Sequence, residues 1–186
     1  MSDEALQTRL AQALAPLVGL VWWRTRRAAD MAMFDFGPRR PPADGADPAW
    51  VDAYDLQVQC CWRLATPATV IWGRQDLWLP AAAAAGPDWP PPPDDYDYLA
   101  HGASLWDARR AAFDAARGGD RPVVQAVEVG WAGAFRLIFA PDLALEVLPG
   151  ASADEEWALL SADRTAPHVV MAAEGLAFWP ALAAEE

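Results

Sequence analysis

Leu6, Leu10, Leu14 and Leu17 recur at three- and four-residue intervals, the spacing of one face of an α-helix. Ser2 stands where a capping residue belongs, Asp3 and Glu4 fall in the first turn, and Pro16 marks the end. An amphipathic N-terminal helix is therefore expected. Two short hydrophobic runs follow, VGLVWW and MAMFDFG, separated by RTRRAAD. Their β-favouring residues suit two strands, or a strand and a helical turn, and two strands are the preferred reading. PRRPPADGADP at 38–48 has loop composition.

Period-two alternation is clearest over residues 54–64. Tyr54, Leu56, Val58, Cys60, Trp62 and Leu64 alternate with Asp55, Gln57, Gln59, Cys61 and Arg63, which predicts one strand with an apolar and a polar face. TVIWGR and DLWL continue the pattern after a turn at Thr66 and Pro67. Ser104 and Asp107 form a capping box ahead of Trp106, Ala112, Phe113 and Ala116, with Gly118 and Gly119 as the stop, so a central helix is expected near 104–117. VVQAVEVG, GAFRLIFA and LALEVLP read as three antiparallel strands joined by tight turns. Ser152 and Glu155 form a second capping box, predicting a short helix near 153–160, and HVVMAAEGLAFW closes with one or two strands. Without regular βαβ alternation, the order predicts a single α+β domain over 1–186, built mainly on an antiparallel β-sheet.

Length fits that picture: 186 residues can bury one core. A composition of 54% hydrophobic residues with eleven tryptophans excludes a disordered chain, while seventeen prolines imply long connections. Six of those prolines fall in residues 80–98, a stretch without a basic residue that carries Asp88, Asp94, Asp95 and Asp97 and is expected to be a Pro/Asp-rich loop. The chain has no lysine and no asparagine. Codon bias in a G+C-rich bacterial genome accounts for this, so an arginine need not have been chosen for its fork geometry.

Fourteen basic against 26 acidic residues give a net charge of −12, which argues against nucleic acid and anionic membranes as partners. The start MSDEALQTRL has no basic, apolar leader pattern, no stretch offers roughly 18 consecutive apolar residues, and the adjacent Cys60 and Cys61 suit free thiols. A cytoplasmic protein is expected.

Chemistry for catalysis is scarce. His101 and His168 are the only histidines, and no zinc motif, phosphate loop, dinucleotide fingerprint or nucleophile elbow occurs. No catalytic residue, metal ligand or cofactor is assigned. Cys61 with His168 could form a thiol–imidazole pair, Asp94, Asp95 and Asp97 could ligate a cation, and Glu155 with Glu156 are paired carboxylates, but bland structural roles explain each of these better. The arginines are more suggestive. Residues 1–40 carry six Arg against four acids, an excess of two positive charges, leaving −14 on the other 146 residues. Arg24, Arg26 and Arg27 are thus candidate anion-binding residues, although on a strand Arg24 and Arg26 would share a face and could pair with carboxylates, while Trp22 and Trp23 point opposite ways.

VGLVWWRTRRAADMAMFDFG and LALEVLPGASADEEWALL, with APHVV after it, resemble a group of small uncharacterised bacterial cytosolic proteins in which a strand, a Ser-capped helix containing Trp and a closing strand recur. The resemblance covers about a third of the chain, implies an immunity or accessory type of protein, and transfers no functional residue.

The leading expectation is a non-enzymatic acidic binding protein that regulates or neutralises a basic protein partner, with Trp89, Asp94, Asp95, Tyr96, Asp97 and Tyr98 as the partner-binding residues. The alternative use of those aromatics is to tether the loop to its own domain. Two other classes stay open: a small-molecule-binding or enzymatic domain with a Trp-lined pocket and an arginine anion site, and a self-associating structural subunit joined through a strand such as 69–73.

Overall fold

A computed structural model describes residues 3–38, 52–86, 88, 91, 92, 94–140, 142–150, 155–162 and 168–179. Helix α1 (Asp3–Leu14) passes at Pro16 into a 3-10 turn, Ala15–Leu17, and buries Leu10, Leu14 and Leu17 completely. The proposed Ser2 cap lies outside the described residues. Among the described residues eleven strands follow: β1 Trp22–Ala28, β2 Met31–Phe36, β3 Tyr54–Val58, β4 Cys61–Ala65, β5 Val70–Gly73, β6 Ala126–Val129, β7 Phe135–Ala140, β8 Leu143–Leu148, β9 Glu155–Ser161, β10 His168–Ala172 and β11 Gly175–Trp179. Helix α2 (Leu105–Ala116) stands between β5 and β6, with the Ser104 hydroxyl accepting from the Asp107 backbone N–H as the capping box predicted.

The fold is α+β, but the strands form two antiparallel sheets rather than one. The first runs β1-β2-β3-β9-β10-β11 and the second β5-β4-β8-β7-β6. Their inner faces meet through aromatic rings. Phe34 of β2 stands edge-on to Trp62 of β4 at 5.1 Å, and Phe135 of β7 to Trp157 of β9 at 5.1 Å, while Trp22 of β1 stacks on Phe139 of β7. Such pairs add to the burial of their large apolar area. The helices close the open sides. Phe113 of α2 packs on Trp22 and Trp72 beside β1 and β5, and α1 lies along β6 and the turn at 131–133. No helix among the described residues is long and apolar enough to cross a membrane.

Four further expectations need correction. Residues 54–64 are two strands, β3 and β4, in different sheets. The chain turns the corner at Gln59 and Cys60, whose backbone N–H groups both donate to the Glu156 carbonyl, at 2.9 and 3.0 Å. Because both sheets show their apolar faces to one core, the alternation runs through the corner without a break in phase. Residues 155–161 are strand β9, not a helix, and β9 is central, with Leu56 opposite Leu159 on one side and Val169 opposite Leu159 on the other. Local capping chemistry yields there to pairing on both edges, and the capping residue Ser152 lies outside the described residues. RTRRAAD is no separator either: β1 continues through Arg24 to Ala28, and DLWL falls largely in a 3-10 helix, Arg74–Trp78, whose Asp76 carboxylate accepts from the Gly73 N–H at 2.9 Å.

Candidate functional site

The arginines of β1 divide by strand alternation. Arg24 and Arg26 lie on the outer face of the first sheet and converge on Asp35 of β2, which is 1% exposed. Arg24 Nε donates to Asp35 Oδ2 at 2.5 Å. Arg26 binds the same carboxylate in bidentate fashion, Nε to Oδ2 at 2.9 Å and a terminal nitrogen to Oδ1 at 2.7 Å. Arg24 also reaches Asp52 and Arg26 reaches Asp55, at 3.3 and 3.1 Å. The hydrogen bonds to Asp35 raise the Arg26 pKa further above its ordinary value. Burial pushes the Asp55 carboxyl above the usual range, against the opposing pull of Gln57 and Arg26. Both guanidinium groups are therefore engaged by nearby aspartates.

Arg27 points the other way, toward α2. Its side chain reaches the Leu99 and Ala100 carbonyls at 3.1 and 3.2 Å and the Asp107 carboxylate at 3.1 Å. Burial would raise the Asp107 pKa, but hydrogen bonds from Arg27, Ser104 and the Gly102 N–H hold it below the usual value. Trp22 is buried and Trp23 exposed, and a register shift between Trp22 and Arg24 lets Trp22 face the core although Arg24 and Arg26 face outward.

The acidic segment is an excursion closed at its base. Ala81 N–H donates to the Ala103 carbonyl and Leu105 N–H to the Leu79 carbonyl, both at 2.7 Å. The Tyr96 hydroxyl reaches back to that base and donates to the Leu79 carbonyl at 3.0 Å. Tyr98 packs on Trp78, ring centroids 4.5 Å apart. Two of the proposed anchor residues thus hold the loop to its own domain. Asp94, Asp95 and Asp97 remain exposed beside Leu99, and Trp89 lies outside the described residues.

No family model, curated protein or solved structure matches the chain.

The remaining sequence candidates separate in space. Cys60 is buried and Cys61 exposed, both free thiols, and they sit beside Glu155 and Glu156. His168 lies toward the opposite end of β9, one residue beyond the Val169–Leu159 pair. Burial and the neighbouring Glu156 push the Cys60 thiol up to about 12, which makes it unreactive. Among the described residues no group of three or more His, Cys, Asp or Glu is arranged to hold a metal ion.

Two residues escaped the sequence reading. Trp106 and Arg110 sit one helical turn apart on α2, and Arg27 reaches the same indole, with guanidinium carbons 5.5 Å (Arg110) and 5.9 Å (Arg27) from the ring. The i,i+4 spacing was the available signal. Arg27's place beside them depends on β1 lying against α2, which only the fold supplies.

Proposed function

We propose that this domain is an acidic binding protein for a basic protein partner, and that the docking surface is the segment 94–99 with Trp78. The observation that carries the reading is the way Tyr96 and Tyr98 fasten this segment. Their contacts with the Leu79 carbonyl and Trp78 anchor the chain on both sides of Asp97 and directly after Asp94 and Asp95, and bring Tyr98 against exposed Trp78, one residue before exposed Leu99. A fixed acidic surface with apolar groups inside it loses little entropy on docking and steers a cationic partner toward it.

Charge elsewhere favours the same reading. Arg24, Arg26, Arg27, Arg63, Arg74, Arg109, Arg110, Arg121 and Arg136 each have a carboxylate oxygen within 3.9 Å. Among the described residues most of the cationic charge thus has a carboxylate beside it, and the net charge of −12 leaves an acidic surplus for partners. Free thiols suit a reducing compartment, so the cytoplasm is the proposed location.

The test compares capture by the purified chain with capture by the triple variant Asp94→Asn, Asp95→Asn, Asp97→Asn and by Trp78→Ala. A basic protein retained by the wild type, released by moderate salt and lost with both variants supports the reading. Equal retention by the variants refutes it.

A further inference from the structure

Between β1 and α2 lies a groove of about 480 Å³, lined among others by Thr25, Arg27, Leu99, His101, Trp106 and Arg110. That volume lies within the range of small-molecule sites. Its polar lining is unbalanced toward donors. Arg26 contributes to the rim, but its guanidinium is engaged by Asp35 and Asp55 on the outer face. Asp107 is the one carboxylate among the described residues of the lining, and its Oδ2 already accepts from Arg27, the Gly102 N–H and the Ser104 hydroxyl, at 3.1, 3.1 and 3.0 Å.

Two donors on residues of this lining, both closed off from solvent, have no acceptor among the described residues. Trp106 is 1% exposed and its indole N–H has no hydrogen-bond partner. The Arg110 Nε–H is likewise buried without one, and the carboxylate that pairs with Arg110, Asp114, is 3.9 Å away, beyond hydrogen-bond length. Buried donors without partners carry a desolvation cost and call for an explanation. The indoles of Trp62 and Trp72 also lack acceptors, but each has edge-to-face ring neighbours: the two pair with each other at 6.1 Å, Trp62 pairs with Phe34 at 5.1 Å, and Trp72 pairs with Phe113 at 5.0 Å. An aromatic face can receive an N–H in such a pair. Among the described residues Trp106 has no such ring neighbour, only the two guanidinium groups of Arg27 and Arg110. What this groove lacks is an acceptor for these two donors, because Asp107 is taken up by Arg27, Gly102 and Ser104.

We infer that the groove is a binding site for a small oxyanion, a carboxylate or phosphate group, held by Arg110 and His101 and, on a shift of the buried ring, by the Trp106 indole N–H, with Arg27 as fixed positive charge. Arg110 offers the planar fork that matches either group. The site adjoins the acidic docking surface, with Leu99 common to both, but it needs no partner protein, and its ligand carries the opposite charge to that partner.

The test follows the indole N–H signals of isotope-labelled protein by NMR, with the Trp106 signal assigned by Trp106→Phe. Inorganic phosphate and acetate are titrated separately at ionic strength held constant with chloride. The Trp106 signal is expected to move saturably with at least one of them, and which one moves it identifies the group recognised. Arg110→Gln is expected to weaken that binding about tenfold or more, and Arg110→Lys, which keeps the charge without the fork, by less. Unmoved Trp62 and Trp72 signals report that a variant is folded, and His101→Ala, on an exposed turn, gives a second weakened variant. No response beyond that to chloride, or variants that titrate like the wild type, would overturn the inference.

Discussion

The substitution Asp35→Asn keeps the shape of the side chain and removes one charge from a buried carboxylate that two arginines share. Asp35 accepts three guanidinium bonds, from Arg24 at 2.5 Å and from Arg26 at 2.9 and 2.7 Å. In the variant one carboxylate oxygen becomes an NH2 group that faces donors, so at least one bond is lost and the others are no longer charge-assisted. Breaking a fully buried pair costs about 3–5 kcal/mol. Here the carboxylate side chain is 1% exposed while those of Arg24 and Arg26 are 45% and 36% exposed, so the arginines can turn to water and recover part of their hydration. The expected loss is about 2 kcal/mol, a fall in Tm of roughly 4–8 °C for a chain of this size. Urea unfolding at neutral pH, followed by tryptophan fluorescence, measures it. A loss below about 0.5 kcal/mol, the level of an ordinary surface pair, would refute the claim that this network holds β1 to β2.

The neighbouring Asp55→Asn should behave in the opposite way. Burial raises the folded-state pKa of Asp55 above its reference of 3.8, so the ionised form costs stability at neutral pH, and that cost is relieved as pH falls through the folded pKa. The variant should match or exceed the wild type in urea at pH 7, with the difference shrinking toward pH 3.8; a large loss at neutral pH contradicts this. Asp107 has the reverse sign: its folded pKa is lowered, so its contribution is complete above 3.8 and disappears as pH falls through the folded value, and Asp107→Asn should make acid unfolding less steep. Under native conditions a thiol reagent should label Cys61 rapidly and Cys60 only after unfolding, given a Cys60 thiol pushed up to about 12; two fast labels would disprove the burial argument. Gly133→Ala should destabilise by about 1–3 kcal/mol, because Gly133 has φ +81 and an added Cβ would lie 2.7–2.8 Å from Met171, whereas Ala132→Gly, at a residue with φ +51, should cost nothing or stabilise in thermal melts.

Over 54–64, where each apolar residue points was legible in the sequence; which sheet it belongs to was not. Leu56, Val58, Trp62 and Leu64 are all buried, as alternation predicted, yet the corner at Gln59 and Cys60 left no trace because it preserves the phase. Ser104 and Asp107 announced α2 correctly, since that helix starts on its own local chemistry. Ser152 and Glu155 offered the same pattern and misled, since the following residues lie between β3 and β10, where ladder bonds on both edges outweigh a cap worth about 1 kcal/mol. At the candidate sites, the alternation put Arg24 and Arg26 on one face but could not name Asp35 as their common partner. Nor could it show that Arg27 meets Trp106 and Arg110, far along the chain, because that contact depends on tertiary packing alone.

The corner at Gln59 and Cys60 also bears on how the chain is made. β3 and β4 are consecutive, but on their other edges β3 waits for β9 and β4 for β8, both from the last third of the chain. A chain emerging from the ribosome must therefore carry the β1-β2-β3 edge unpaired until Ser161 has been synthesised, with Leu56 and Val58 uncovered. High contact order of this kind slows folding and leaves a strand edge open to neighbouring nascent chains. Synthesis rate and chaperone supply, rather than the stability of the finished sandwich, should then govern how much soluble protein is recovered on expression.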